Sequence, residues 1–106
     1  MFYVKFLVPV TDKAGQAVRS EAWDRLAGRI LDVVGGFQQT RVVAGAWRSD
    51  SGQVFHEESR EYVMALDSMR QVADFLALVD WAAAAFAQAA MFVEVAGIPE
   101  VLAPPG

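Results

Sequence analysis

Cysteine is absent from this chain of 106 residues, which excludes disulfides, thiolate metal sites and cysteine nucleophiles, and fits a reducing compartment. Histidine occurs once, at His56, so the paired-histidine motifs of zinc enzymes are missing. Basic residues are scarce: 9 Lys and Arg stand against 13 Asp and Glu, for a net charge of −4. Nucleic-acid partners demand clustered Lys and Arg, and anionic membranes attract a basic stripe, so both are excluded as expectations. No stretch approaches the ~20 apolar residues that span a bilayer. The apolar start, Met1 to Val10, lacks a basic flank and is interrupted by Lys5, unlike a secretion signal. A cytoplasmic, bacterial-type domain is expected. Glycine-rich phosphate loops are missing too, because Gly35-Gly36 follows a helical pattern instead of opening one, and no GxSxG nucleophile motif occurs.

What is abundant is apolar surface. Hydrophobic residues make up 55% of the chain, ample for one domain and for more burial than a monomer requires. Phe2, Val4, Phe6 and Val8 alternate with Tyr3, Lys5 and Leu7, which predicts a first strand. Ser20 is the expected N-cap of a helix whose stripe is Trp23, Leu26, Ala27, Ile30, Leu31 and Val34, stopped by Gly35-Gly36. A second strand from about Gln39 to Arg48, a turn at Ser49–Gly52 and a third strand from about Gln53 to Leu66 form a hairpin. Asp67 or Ser68 is the expected cap of a second helix reaching to about Ala90, with Val72, Phe75, Leu76, Val79, Ala83 and Phe86 as its stripe. Met91 to Ala96 reads as a fourth strand, and residues 99–106 as a tail that continues neither helix nor sheet.

The order βαββαβ predicts an α+β, ferredoxin-like domain over residues 1–98, with a four-stranded antiparallel sheet (order 4-1-3-2) and both helices on one face. Lys5 and Glu94 then meet on the helix-free face. That face also receives Tyr3, Leu7, Phe92, Val43 and Trp47, and is too apolar for a water-facing sheet. A homodimer is expected, formed through this face or through a second helix stripe of Leu78, Trp81 and Ala85.

The third strand is polar on both faces before it turns apolar, with His56, Glu58 and Arg60 on one side and Glu57, Ser59 and Glu61 on the other. His56, Glu58 and Glu61 are the catalytic candidates, set against the plainer reading of a solvated hairpin tip and a structural ion network with Arg41, Arg48 or Arg60. Trp47, Arg48, Ser59 and Arg60 are the ligand-binding candidates, with Trp47 stacking on Phe55 or Val54 across the hairpin. No metal or cofactor is expected. The topology matches that of an RNA recognition motif, but strand three offers acids where that motif has a basic, Gly-aromatic core, so RNA binding is rejected.

Three segments carry a resemblance: Gly45-Ala46-Trp47-Arg48, Glu58-Ser59-Arg60-Glu61 and Phe86-Ala87-Gln88-Ala89. With them the chain resembles, over about residues 36 to 96, a family of small bacterial proteins known as a domain of unknown function, although Ala89 replaces the glutamate of that pattern. The resemblance implies a ferredoxin-like fold and no particular reaction. The topology is also similar to the dimeric α/β-barrel superfamily, some of whose members are cofactor-free enzymes and others small-ligand binders. The leading functional expectation is a homodimeric small-ligand or protein-interaction module. The alternatives are a cofactor-independent enzyme with a pocket near Trp47 and Glu58–Glu61, and a structural or regulatory subunit.

Overall fold

In the computed structural model, residues 1–103 are described. They form β1 (Phe2–Pro9), α1 (Ser20–Val34), β2 (Gln38–Arg48), β3 (Val54–Leu66), α2 (Arg70–Ala85), β4 (Met91–Val95) and β5 (Ile98–Leu102). The sheet is antiparallel throughout, in the order β2-β3-β1-β4-β5. It has five strands where the sequence predicts four, and the four expected ones keep their predicted neighbours. No helix among the described residues is long and apolar enough to cross a membrane.

The fifth strand corrects the expected tail. Ala96 (φ 50°) and Gly97 (φ 86°) take the left-handed conformation at both central positions of a two-residue turn, which reverses the chain between Val95 and Ile98. Pro99 is tolerated because β5 is an edge strand, where a missing N–H need not break a ladder. Residues 104–106 of the expected tail lie outside the described residues.

β1 explains the layering. Val4, Phe6 and Val8 point to the helices and are fully buried, while Tyr3, Lys5 and Leu7 point away. Phe6 is the hub: it stacks on Tyr62 at 5.6 Å and meets the edge of Phe75 from α2 at 6.0 Å. Leu26 and Ile30 of α1 complete this core, with Met64, Leu66, Val79, Met91 and Val93. At roughly 25 cal/mol per Å² of apolar area, these side chains each contribute about 1.5–3 kcal/mol to folding.

The helix ends differ in detail from their sequence signals. Arg19, without any side-chain bond, occupies the N-cap of α1, and Ser20 is its first helical residue. Gly35 closes α1 in the left-handed region, its N–H donating to the Leu31 carbonyl at 3.0 Å. At α2 neither Asp67 nor Ser68 caps through its side chain. The Gln71 amide oxygen instead accepts from the N–H groups of Asp67 (2.6 Å) and Ser68 (3.3 Å). α2 stops at Ala85, short of the predicted Ala90, because Ala87 turns left-handed (φ 49°). Buried Gln88 then locks the chain, donating to the carbonyls of Thr11 and Phe86 at 2.8 and 3.0 Å.

The second helix stripe divides, with Ala85 exposed and Trp81 half-buried. Leu78 is buried in the core, and Trp81 lies under the Arg29 guanidinium of α1 at 4.6 Å.

Candidate functional site

β2 and β3 run on past the end of β1, so the hairpin projects beyond the helices and both of its faces reach the surface. Register sorts its side chains. Arg41, Val43, Gly45 and Trp47 stand opposite Glu61, Ser59, Glu57 and Phe55 on the helix-free face. Val42, Ala44, Ala46 and Arg48 stand opposite Arg60, Glu58, His56 and Val54 on the other.

This separates the candidates predicted from sequence. Trp47, Ser59 and Glu61 come together on the helix-free side. His56, Glu58, Arg48 and Arg60 do not join them. His56 and Glu58 are exposed on the hairpin, and Arg48 donates to the Gly52 carbonyl of the turn at 3.4 Å. Arg60 lies 4.1 Å over the Trp23 ring of α1, a cation–π contact that braces hairpin to helix. The pleat sets Glu61 on the opposite face of the strand from His56 and Glu58.

On the helix-free face an apolar cleft of about 260 Å³ opens where the hairpin curls over the sheet. Leu7, Phe92 and Val101 form its floor, Val43, Gly45 and Trp47 one wall, and Ser59 and Glu57 the seam between them. Trp47 is held upright by stacking on Phe55, with ring centroids 4.7 Å apart and planes 18° from parallel. Of the two cross-strand partners expected for Trp47, the register selects Phe55. Val101 was illegible as a lining residue because it belongs to the missed strand. Leu7, Val43 and Phe92 were placed on this face by their alternation, but apolar side chains carry no further signal of a site.

Beside the cleft runs a row of alternating charge. Arg41, Glu61, Lys5 and Glu94 come from β2, β3, β1 and β4 in turn. The Arg41 Nε to Glu61 Oε1 distance is 3.2 Å, Lys5 Nζ to Glu61 Oε2 is 3.7 Å, and Lys5 Nζ to Glu94 Oε2 is 3.4 Å. The Lys5–Glu94 pair is the one the strand order predicts. Glu61 is buried, and its environment is built by a β-bulge between Gln39 and Arg41. The extra residue, Thr40, donates its hydroxyl to Glu61 Oε1 at 2.7 Å, and Arg41 adds a second donor to Glu61 Oε2 at 3.4 Å. These donors, the Thr40 hydroxyl foremost, outweigh burial and hold the Glu61 carboxyl below its usual range. Glu61 is thus an anchored carboxylate, held at both oxygens. Thr40 escaped the sequence reading because a bulge leaves no periodic trace. Among the described residues no three His, Cys, Asp or Glu side chains converge in a way that could hold a metal ion.

Solved structures of a phage SAM lyase share this fold. One, in complex with S-methyl-5'-thioadenosine, is 19% identical with a TM-score of 0.69, covering 99% of this chain and 89% of its own. Another, in the apo state, is 16% identical with a TM-score of 0.70, covering 99% and 90%. At such identities the likeness establishes the α+β architecture. No family model and no curated protein matches the chain, so the resemblance drawn from the Gly45–Arg48 and Glu58–Glu61 segments gains no support there.

Proposed function

We propose that the helix-free face is a small-ligand site for sulfur nucleosides of the S-adenosylmethionine class, and that it cleaves the sulfonium form without a cofactor. The observation that carries this is the cleft itself: an apolar floor, an aromatic wall and one carboxylate, in a fold shared with a protein that holds S-methyl-5'-thioadenosine. The Trp47 and Phe92 rings offer π surfaces to a purine. Glu57 and a net charge of −4 favour a cationic sulfonium.

Cleavage of such a cation needs little help. Sulfur departs as a neutral thioether, taking the electron pair of the broken carbon–sulfur bond. The substrate's own carboxylate oxygen can supply the pair for a new bond to the same carbon, closing a lactone. This step annihilates a positive and a negative charge, so a cleft poor in water favours it. Glu61, held by Thr40 and Arg41, does not line the cleft; it stands beside the floor, opposite Leu7.

A second copy completes the reading. At about 260 Å³ the cleft falls short of the ~300–1,000 Å³ usual for ligand pockets, and one side stands open. Tyr3, Trp47 and Val101 are 70%, 43% and 65% exposed on this face, surface that a partner copy would cover while roofing the cleft. The plainer alternative, binding without turnover, needs only the apolar floor and the aromatic wall.

Incubation of the purified protein with S-adenosylmethionine, followed by mass spectrometry, tests the proposal. Accumulation of S-methyl-5'-thioadenosine with a lactone is the expected result. Saturable binding with unchanged nucleoside supports the binding module, and neither binding nor turnover removes both readings.

A further inference from the structure

The charge row on the helix-free face has a geometry that simple surface salt bridges do not require. Lys5, Glu61 and Glu94 each sit two residues along their strands from a residue of the cleft: Leu7, Ser59 and Phe92 respectively. Two residues of strand span about 6.6 Å: Glu61 stands level with the cleft floor, opposite Leu7, whereas Lys5 and Glu94, opposite each other, lie one side-chain spacing beyond it. Beyond the row lies a second hollow, of about 200 Å³, bordered by Tyr3, Lys5, Val63, Glu94 and the Ala96-Gly97 turn. The face therefore reads, along β1, as apolar cleft, charge row, hollow.

The row is unequally committed. Glu61 is buried and saturated, whereas the Lys5 and Glu94 side chains keep 28% and 31% of their exposure and border the hollow. An ion pair this exposed contributes little to stability, so separating Lys5 from Glu94 costs little. A ligand group carrying both charges would return two charge-assisted bonds in exchange. It would also bring no net charge onto an otherwise apolar face, which a lone carboxylate or ammonium would do at greater cost.

We propose that Lys5 and Glu94 form a subsite for the zwitterionic end of an α-amino acid, with Lys5 taking the carboxylate and Glu94 the ammonium, while the apolar end lies in the cleft. This rests on the sulfur-nucleoside reading and sharpens it, because a chain of three or four bonds between the two ends matches the spacing of cleft and row. The subsite discriminates between two nucleosides that share the apolar end: S-adenosylhomocysteine carries the zwitterion and S-methyl-5'-thioadenosine does not.

Calorimetric titration of both nucleosides against the native protein, Lys5→Met and Glu94→Gln tests this. The native protein is expected to bind S-adenosylhomocysteine at least about tenfold more tightly than the thioadenosine, one strong charge-assisted bond's worth. Each variant should lose that preference while its affinity for the thioadenosine stays within about twofold, which also certifies its fold. Equal affinities in the native protein, or variants that weaken both nucleosides alike, overturn the subsite and leave the cleft reading intact. If neither nucleoside binds, the cleft reading fails and the subsite falls with it.

Discussion

The two faces of β3 are made from alternate residues of one strand, yet they do different physical work. Toward the helices, Tyr62, Met64 and Leu66 are buried in a core that Phe6 organises, and Arg60 clamps the Trp23 ring. Away from them, Phe55, Glu57, Ser59 and Glu61 stack, line a cleft or anchor a charge row. The first face is settled by burial within the chain. The second combines an apolar floor with charges arranged in order. One face holds the protein together, and the other is the one proposed to take a ligand.

Adjacent residues on β1 give the sharpest way to break this comparison. Phe6→Ala empties the hub of the core and should cost about 3–5 kcal/mol in denaturant unfolding. Leu7→Ala, one residue on, touches the cleft floor and should cost no more than about 2 kcal/mol, since the side chain is only half-buried. If nucleoside binding survives Leu7→Ala unchanged, the division of labour is wrong.

A smaller contrast separates two glutamates of β3. Glu61→Ala strips Thr40, Arg41 and Lys5 of their shared acceptor and should cost roughly 1–3 kcal/mol. Glu58→Ala, exposed on the opposite face, should stay within about 0.5 kcal/mol. Equal losses would mean that the charge row is ornamental. The same group sets the acid limb of the stability curve. Its folded carboxyl is held below the ordinary 4.5, so its contribution is present above that pH and fades as pH falls through the lower folded value. Glu61→Gln should flatten the stability-against-pH curve below about pH 4.5 and hardly change its slope near neutrality. A slope unchanged in acid would contradict the assignment.

The smallest effects on folding fall at the hairpin. Trp47→Ala removes a stacked pair worth about 0.5–1.5 kcal/mol, and should weaken nucleoside binding about tenfold. His56→Ala, on the far side of the same hairpin, should leave both folding and binding unchanged.

How much of this the sequence revealed follows from which signals repeat. Alternation in Phe2–Val8 and in His56–Glu61 sorted both faces correctly, because the pleat has a fixed period of two. The Lys5–Glu94 pair followed from strand order alone. β5 was hidden because Pro99 reads as a breaker, and a five-residue edge strand offers too few repeats to outweigh it. Leu78 read as surplus surface because a helix stripe does not say how deeply it is packed, and α1 turned out to press on that side. The candidate cleft is legible in part: Trp47 and Ser59 line it and Glu61 stands beside it, while the other polar candidates fall on the opposite face. Polar residues at the rim of a strand announce themselves without saying which side a ligand uses. Thr40 and Val101 depended on a bulge and on a missed strand, neither of which local pattern reveals.

The central claim is that the helix-free face is the ligand site. Titrating S-methyl-5'-thioadenosine into isotopically labelled protein, and following amide and indole resonances, tests it most directly. Saturable shifts are expected at Leu7, Val43, Trp47, Ser59 and Phe92, with the indole of Trp47 moving while those of Trp23 and Trp81 stay in place. Shifts centred on Trp23, His56 or the outer faces of the helices, or none at all, would contradict it.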